Sequence, residues 1–217
     1  MRFEIKVPIN KLRQNIVVNW INSNPIKKVF PDREISSLYY DTSKLDCAKD
    51  NLSGISNRRK YRIRWYDLNH NKKFYEIKIK KNNLGFKIDQ KIINNYGSLE
   101  NIYSLEKLLH NSKNNLKFLN SIKHNNLKPV LKTRYLRSYY LCENIRITYD
   151  QNLNYTLQEQ QIGLEKTLDD QFNVIEFKFD VANYDKAANI ITKTSFLPKR
   201  FSKYLRGLYL HKYSSYF

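Results

Sequence analysis

The sequence predicts an α+β domain in which the strands of a sheet are interleaved with helices. Short segments of alternating polar and apolar residues recur along the chain, which is the pattern of strands with one buried face. Segments with the apolar spacing of helices separate them. The chain has 217 residues and no evident linker or internal repeat, so we expect a single domain over residues 1–217.

In the first half of the chain, alternation predicts a strand at residues 2–7, and Pro8 ends it. Asn10 can cap the helix that follows, and Pro25 lies just beyond the end of that helix. The predicted elements are the strand at 2–7, the helix at 11–22, the strands at 35–40, 57–66, 74–80 and 86–93, and a helical insert at about 98–126.

In the second half, strand patterns resume after Pro129, and Glu143 with Asn144 forms a candidate hairpin turn. Apolar residues at helical spacing return near the end of the chain. The predicted elements are strands at 131–141, 145–150, 155–161 and 174–180, a helix at 185–194 and a C-terminal helix at about 201–213.

The composition is strongly basic. Lys and Arg number 39 against 20 Asp and Glu, a formal charge of +19. This balance attracts nucleic acid, anionic membrane or phosphorylated small molecules. Cys47 and Cys142 are isolated, which argues against a disulfide framework or a cysteine zinc site. No signal peptide follows Met1 and no apolar run approaches the roughly 18 residues of a spanning helix, so we expect a cytoplasmic protein.

The strand at 57–66 carries an unusual row of cations. If it is extended, Lys60, Arg62 and Arg64 share one face, and apolar residues share the other. Three cations in line repel one another unless an anion lies between them. Other strands also carry charged pairs at alternate positions, namely Glu4/Lys6, Glu76/Lys78 and Glu176/Lys178.

Two arrangements explain such strands. A sheet with one solvated face would show the same alternation. A closed barrel with a polar interior that binds a charged ligand, and an apolar exterior covered by helices, would show it too. The pattern alone does not choose between an open and a closed sheet.

Several strings resemble the VTC domain, the polyphosphate polymerase domain of the triphosphate tunnel metalloenzyme (CYTH-like) superfamily. The strings lie at residues 37–42, 56–66, 74–78, 134–137, 145–150, 175–178 and 201–204, and include Asn-Arg-Arg-Lys-Tyr-Arg-Ile-Arg-Trp-Tyr. The resemblance spans essentially the whole chain. It implies an antiparallel β-barrel that forms a triphosphate tunnel, with helices packed on its outside.

The resemblance also implies roles for individual residues. Ser202 would donate its hydroxyl to phosphate, and Glu176 would hold Mn²⁺ or Mg²⁺. Arg134 is out of phase with Arg137 on its strand, and Arg137 fits the family pattern better. The cations expected to act in catalysis are Arg62, Arg64, Lys78, Arg137, Arg146 and Lys203, and the further substrate-binding residues are Lys6, Arg134, Lys178 and Ser202.

The implied activity is an ATP-dependent polyphosphate polymerase, with ATP and inorganic polyphosphate or triphosphate as partners. A terminal phosphate is already ionised, so this reaction needs no general base. A single glutamate, Glu4, precedes Lys6, which favours the polymerase-like branch over relatives with two. Because the chain begins at its first strand, we expect no appended sensing domain or membrane region. The alternatives are a metal-dependent inorganic or nucleoside triphosphatase, or a non-catalytic module that binds polyphosphate or nucleic acid, the latter on charge alone.

Overall fold

The computed structural model describes residues 2–67, 72–81, 84–93, 120, 125–158 and 166–211. Its strands are β1 (Arg2–Asn10), β2 (Lys27–Asp41), β3 (Arg58–Tyr66), β4 (Lys72–Lys81), β5 (Leu84–Ile93), β6 (Lys128–Cys142), β7 (Ile145–Leu157), β8 (Thr167–Asp169) and β9 (Phe172–Asp180). Its α-helices are α1 (Gln14–Asn22), α2 (Asp46–Ser53), α3 (Tyr184–Thr192) and α4 (Lys203–Leu210).

The strands form one sheet within the described residues. Its hydrogen-bonded order is β1-β9-β7-β6-β2-β3-β4-β5, and β8 pairs with β7. The pairs β1–β9, β7–β9, β2–β3, β3–β4 and β4–β5 are antiparallel. The predicted α+β class with an antiparallel sheet is therefore confirmed.

The chain divides into two compact units. The first comprises Met1–Glu34, Tyr135–Asn154 and Asp169–Ser202. Its core joins the apolar face of the β1–β9–β7 strands to helices α1 and α3, through residues that include Val7, Val17, Trp20, Ile147, Phe177 and Ile191. Because Val17 and Trp20 lie three positions apart on α1, they share the face that the sheet buries.

The second unit comprises Ile35–Arg134, Tyr155–Leu168 and Lys203–Phe217. One of its cores contains Tyr61, Ile63 and Trp65 of β3 together with Tyr75 and Ile77 of β4. These residues alternate along their strands, so one face of the β3–β4 pair is apolar and buried.

Helix α4 packs closely in the second unit at Gly207. A Cβ atom added there would lie 2.4 Å from Leu131 Cδ2 and 2.7 Å from Tyr155 Cδ1. Real Cβ atoms do not approach other heavy atoms so closely, so the packing distance of α4 depends on glycine at this position.

Most predicted elements are observed, with five differences. Pro8 does not end the first strand, which continues to Asn10, because β1 lies at the end of the described strand order, where proline is tolerated. The second strand begins at Lys27, residues 145–157 form one strand rather than two, and a short β8 was not predicted. The connection after β2 contains α2, also not predicted. The insert predicted at 98–126 lies outside the described residues except for 120, 125 and 126. No helix in the described part of the chain combines the length and apolarity needed to cross a membrane.

Helix α2 was not predicted because its capping groups come from Asp41 and Thr42 rather than from the residue directly before the helix. The residue before it, Leu45, has a left-handed φ of 57° and makes no side-chain cap hydrogen bond. The carboxylate of Asp41 instead accepts hydrogen bonds from the backbone N–H groups of Cys47 and Ala48. A carboxylate at this end satisfies unpaired amides and interacts favourably with the helix dipole.

Candidate functional site

Strand β3 carries the row of cations that the sequence predicted. Its apolar residues are buried on one face. Lys60, Arg62, Arg64 and Tyr66 alternate with them on the other face, and all four are partly buried. The predicted assignment of the two faces is confirmed.

Glu76 of β4 lies at the centre of this cationic face, in register with Arg62, and is 2% exposed. Arg62 binds Glu76 Oε2 through Nε and Nη2. Arg64 Nη1 lies 3.6 Å from Glu76 Oε1, and Lys87 Nζ of β5 lies 3.0 Å from the same oxygen. Burial alone would raise the pKa of Glu76, but the charges of Arg62, Arg64 and Lys87 lower it to about 2.

Three lysines lie directly opposite one another on neighbouring strands. The register pairs Lys60 of β3 with Lys78 of β4, and Lys78 with Lys87 of β5. Lys87 also contacts Asp89, with Nζ 3.3 Å from Oδ2. Like charges in directly opposed positions are destabilising, and an anion bound between them would offset the repulsion.

Tyr39 of β2 connects the cationic face to helix α4. Its hydroxyl accepts a hydrogen bond from Arg62 Nη1 at 3.2 Å, and its ring stacks on that of Tyr204 with centroids 5.0 Å apart. Burial would raise the pKa of Tyr39, but Arg62 and Arg64, and to a smaller extent Lys203, lower it. The phenol therefore lies in a positive field.

Asp41, at the end of β2, binds both α2 and α4. It is fully buried, and its Oδ2 accepts hydrogen bonds from the Ala48 N–H at 3.0 Å and from the Tyr204 hydroxyl at 2.7 Å. Burial raises the pKa of Asp41 in spite of its hydrogen bonds. Because one carboxylate holds both helices, it also ties Lys203, the first residue of α4, to the end of β2.

In the first unit, two glutamates and two lysines alternate across β1 and β9. The register pairs Lys6 with Glu176 and Glu4 with Lys178. Lys6 Nζ lies 2.9 Å from Glu4 Oε1 and 3.8 Å from Glu176 Oε2. Lys178 Nζ contacts Glu176 Oε1 and lies 3.8 Å from Glu4 Oε2. Each carboxylate therefore contacts both ammonium groups, and Glu176 is only 5% exposed.

Two predicted arginines of the first unit lie in different surroundings. Arg146 of β7 is in register with Lys178 and is exposed. Arg137 of β6 is buried, and its Nε and Nη2 donate to the two carboxylate oxygens of Asp150 at 2.6 and 2.8 Å. Burial would lower the pKa of Arg137, but Asp150 raises it. A phosphate bound by Arg137 would have to compete with this ion pair.

The remaining predicted residues lie on β4, on β6 and at the start of α4. Arg134 is exposed on β6 and Lys78 is exposed on β4. Ser202 is partly buried immediately before α4, and Lys203 begins that helix. Within the second unit the structure thus brings Arg62, Arg64 and Lys78 onto one face, and within the first unit it brings together Lys6, Arg146, Glu176 and Lys178.

The sequence did not identify several residues that the structure places in these clusters. Lys87 is the clearest, and its signal was the alternation of Lys87 and Asp89 with Ile88 in a weakly patterned strand. Tyr39, Asp41 and Tyr204 belong to strings that resemble the family, but the sequence assigned them no role. Their connection is visible only in three dimensions, since Tyr204 and Asp41 are 163 residues apart.

The carboxylates of Glu4 and Glu176 suit a hard divalent cation. Both contact the ammonium of Lys6, so a positive charge already lies against the pair. Mg²⁺ is commonly held by one or two carboxylates together with phosphate oxygens and water. Among the described residues, no group of three or more His, Cys, Asp or Glu side chains could hold a metal.

Three solved structures share the fold. A candidate adenylyl cyclase from Hippeastrum with a dominant triphosphatase activity has a TM-score of 0.61 and 15% identity, over 95% of both chains. A candidate adenylate cyclase from Bacillus halodurans has a TM-score of 0.57 and 12% identity, over 93% of this chain and 94% of that one. A protein from Pyrococcus horikoshii has a TM-score of 0.53 and 18% identity, over 97% and 99%.

The strand order of the sheet and the similarity to these solved structures identify the fold. The fold is that of the triphosphate tunnel proteins, which confirms the fold class predicted from the sequence. Residues 2–211 match the VTC domain, and the chain belongs to that family. No curated protein is significantly similar to this chain.

Proposed function

We propose that the protein is an ATP-dependent polyphosphate polymerase. The observation that carries the proposal is the cationic face around Glu76, where Arg62, Arg64 and Lys87 surround one buried carboxylate beside a row of opposed lysines. Polyphosphate is a regular array of negative charges, and such a face offers a matching array of donors. Membership of the VTC domain family supports the same substrate class.

Each unit, taken by itself, offers cations for the proposed binding of phosphates. Arginine suits the non-bridging oxygens because its planar guanidinium binds two of them at once and stays charged. The proposed catalytic cations are Arg62, Arg64, Lys78 and Lys203 in the second unit and Arg137 and Arg146 in the first. The proposed further contacts to substrate come from Lys6, Lys178 and Ser202 in the first unit and Arg134 in the second.

The reaction requires positioning and charge neutralisation. An oxygen of the terminal phosphate of the chain attacks the γ-phosphorus of ATP, the bond from that phosphorus to the bridging oxygen breaks, and ADP leaves. The attacking oxygen is already ionised, so no side chain needs to remove a proton. The arginines and lysines would hold the two phosphates in line and stabilise charge on the departing ADP.

Glu176, with Glu4 beside it, would hold the divalent metal, Mn²⁺ or Mg²⁺. Such an ion would supply a positive charge shared between phosphate oxygens. Lys6 and Lys178, which contact these carboxylates, would bind phosphate oxygens beside them. We propose that ATP and polyphosphate are the partners and that the enzyme acts in the cytoplasm.

A metal-dependent triphosphatase is the second candidate. The Hippeastrum protein of the same fold has a dominant triphosphatase activity, which favours this reading. Water would then attack in place of the terminal phosphate. Incubation of the purified protein with ATP and Mn²⁺, followed by a gel stained for polyphosphate, separates the two: long chains support the polymerase, and ADP with orthophosphate alone supports the triphosphatase.

Replacement of the proposed metal-binding carboxylate should separate turnover from binding. We expect Glu176→Gln to abolish turnover, because the neutral amide oxygen is a much weaker ligand for Mg²⁺ or Mn²⁺ than a carboxylate, while tripolyphosphate still binds. Turnover is measured as ADP release and binding by calorimetry. Survival of turnover in this variant would show that Glu176 does not hold the metal.

Replacement of a proposed phosphate-binding arginine should weaken binding. We expect Arg64→Ala to lower the affinity for tripolyphosphate by about 1.5–3 kcal/mol, the usual value of a hydrogen bond to a charged group. Lys193→Ala is the control. Lys193 is exposed, and its replacement removes the same positive charge from a different part of the protein. Equal affinities for the two variants would remove Arg64 from the site.

A further inference from the structure

A cavity lies within the second unit, and it does not include the central residues of the cationic face. It has a volume of about 690 Å³ and lies between helix α2 and the ends of β3 and β4. Its lining includes neither Arg62, Arg64 nor Glu76. Nothing in the proposed polymerase reaction uses it.

The two walls of this cavity carry opposite charges. Asp46 and Asp50 lie one turn apart on α2 and line one wall. Arg59, Lys80 and Lys81 line the other wall. Across the part of the chain that the structure describes, these three cations make no ion pair and no side-chain hydrogen bond. The cations therefore have donors available for a bound anion.

The register of the strands brings two of these cations together. Arg59 is opposite Ile79, and Lys81 lies two positions further along β4, so Arg59 and Lys81 are diagonal neighbours on the same face. Diagonal neighbours are about 7–8 Å apart, within reach of long side chains. One phosphate group could accept hydrogen bonds from both.

The cavity also has an apolar floor. Tyr61, Ile79 and Leu127 line it, and they belong to the core of the β3–β4 pair. A planar apolar group would pack on such a floor, while its N–H donors could reach the aspartates of α2. The volume falls within the range of about 300–1,000 Å³ found for small-molecule sites.

We propose that this cavity binds a phosphorylated nucleoside, with its phosphate held by Arg59 and Lys81. The base packs on Tyr61 and Ile79, and an exocyclic amine or ring N–H of the base donates to Asp50. A ligand with phosphate at one end and N–H donors at the other matches the separated charges of the two walls. A bare phosphate would leave the floor and the aspartates unused.

The test is calorimetric titration with AMP in the presence of saturating tripolyphosphate, which occupies the cationic face. We expect one AMP per chain, and at least a tenfold loss of affinity in the double variant Arg59→Ala/Lys81→Ala. Asp50→Asn should weaken AMP several-fold and leave inorganic phosphate unaffected. Lys193→Ala, in neither wall, should bind AMP as the wild type does. All substituted side chains lie at or near the surface, and thermal unfolding checks that each variant is folded.

Three results would overturn the proposal. AMP could fail to bind or be displaced by tripolyphosphate, it could bind equally to the double variant, or inorganic phosphate could bind as tightly as AMP. None of these measurements depends on turnover. A protein that makes no polyphosphate could still bind AMP here, so failure of the proposed polymerase activity and failure of this site are distinguishable.

Discussion

Glu76 should contribute stability that depends on pH, because its carboxylate is buried among cations. Its pKa falls from the ordinary 4.5 to about 2 in the folded protein. At 1.36 kcal/mol for each tenfold change in proton affinity, this corresponds to about 3 kcal/mol at pH 7. We therefore expect Glu76→Gln to lower the free energy of unfolding by about that amount, since Arg62, Arg64 and Lys87 would repel one another without it.

The direction with pH follows from the sign of the shift. A carboxylate with a lowered folded-state pKa stabilises the protein above its unfolded-state pKa, and the contribution is lost as the pH falls from about 4.5 to about 2. The difference between wild type and Glu76→Gln should therefore shrink from about 3 kcal/mol at pH 7 to about 1 kcal/mol at pH 3. Urea unfolding at several pH values measures it.

Asp89→Asn is a matched control on the same face. Asp89 contacts Lys87 but is half exposed, so its loss should cost less than about 1 kcal/mol. If Glu76→Gln is as stable as this control at pH 7, the buried cluster does not stabilise the fold in the way described. Tripolyphosphate should stabilise Glu76→Gln more than wild type, because the arginines would then be free to bind it.

Two further predictions concern helix α4. Gly207→Ala should lower the free energy of unfolding by about 1–3 kcal/mol, because the added Cβ would overlap neighbouring side chains. Gly85→Ala is the control and should cost less, because no heavy atom lies within 4 Å of the added Cβ. Equal shifts of the melting temperature in the two variants would contradict this packing. Tyr204→Phe should cost about 1–3 kcal/mol because the buried Asp41 loses a hydrogen-bond donor, whereas Tyr209→Phe, at an exposed position, should be neutral in urea unfolding.

The sequence predicted the strands that have one polar and one apolar face. In β3 the alternation places Arg62 and Arg64 on one face of the strand and buried aromatic and aliphatic residues on the other face. This period of two is a local property of the sequence, so it can be recognised without the structure. The C-terminal helix was predicted too, and it ends at Leu210, earlier than the pattern suggested.

The sequence could not predict contacts that depend on register. Whether Glu76 meets Lys78, its neighbour on the same face, or Arg62 on the adjacent strand depends on which residues are paired across β3 and β4. The ion pair of Arg137 with Asp150 has the same origin, since neither residue has a local signal for the other. The sequence did not predict helix α2 because the carboxylate that caps it belongs to Asp41, several residues before the helix begins rather than directly before it.

The strand pairing determines how late in synthesis the first strand finds its partner. Strand β1 is synthesised first, yet it pairs with β9, the last strand described, along nine registered positions from Arg2 to Asn10. Asp41 likewise gains its hydrogen bond from the Tyr204 hydroxyl only after that residue has been synthesised. A nascent chain therefore exposes an unpaired edge of β1, and an Asp41 carboxylate without its tyrosine donor, until β9 and Tyr204 have emerged. Long-range pairing of this kind slows folding, so chaperones that shield strand edges should raise the yield of this protein.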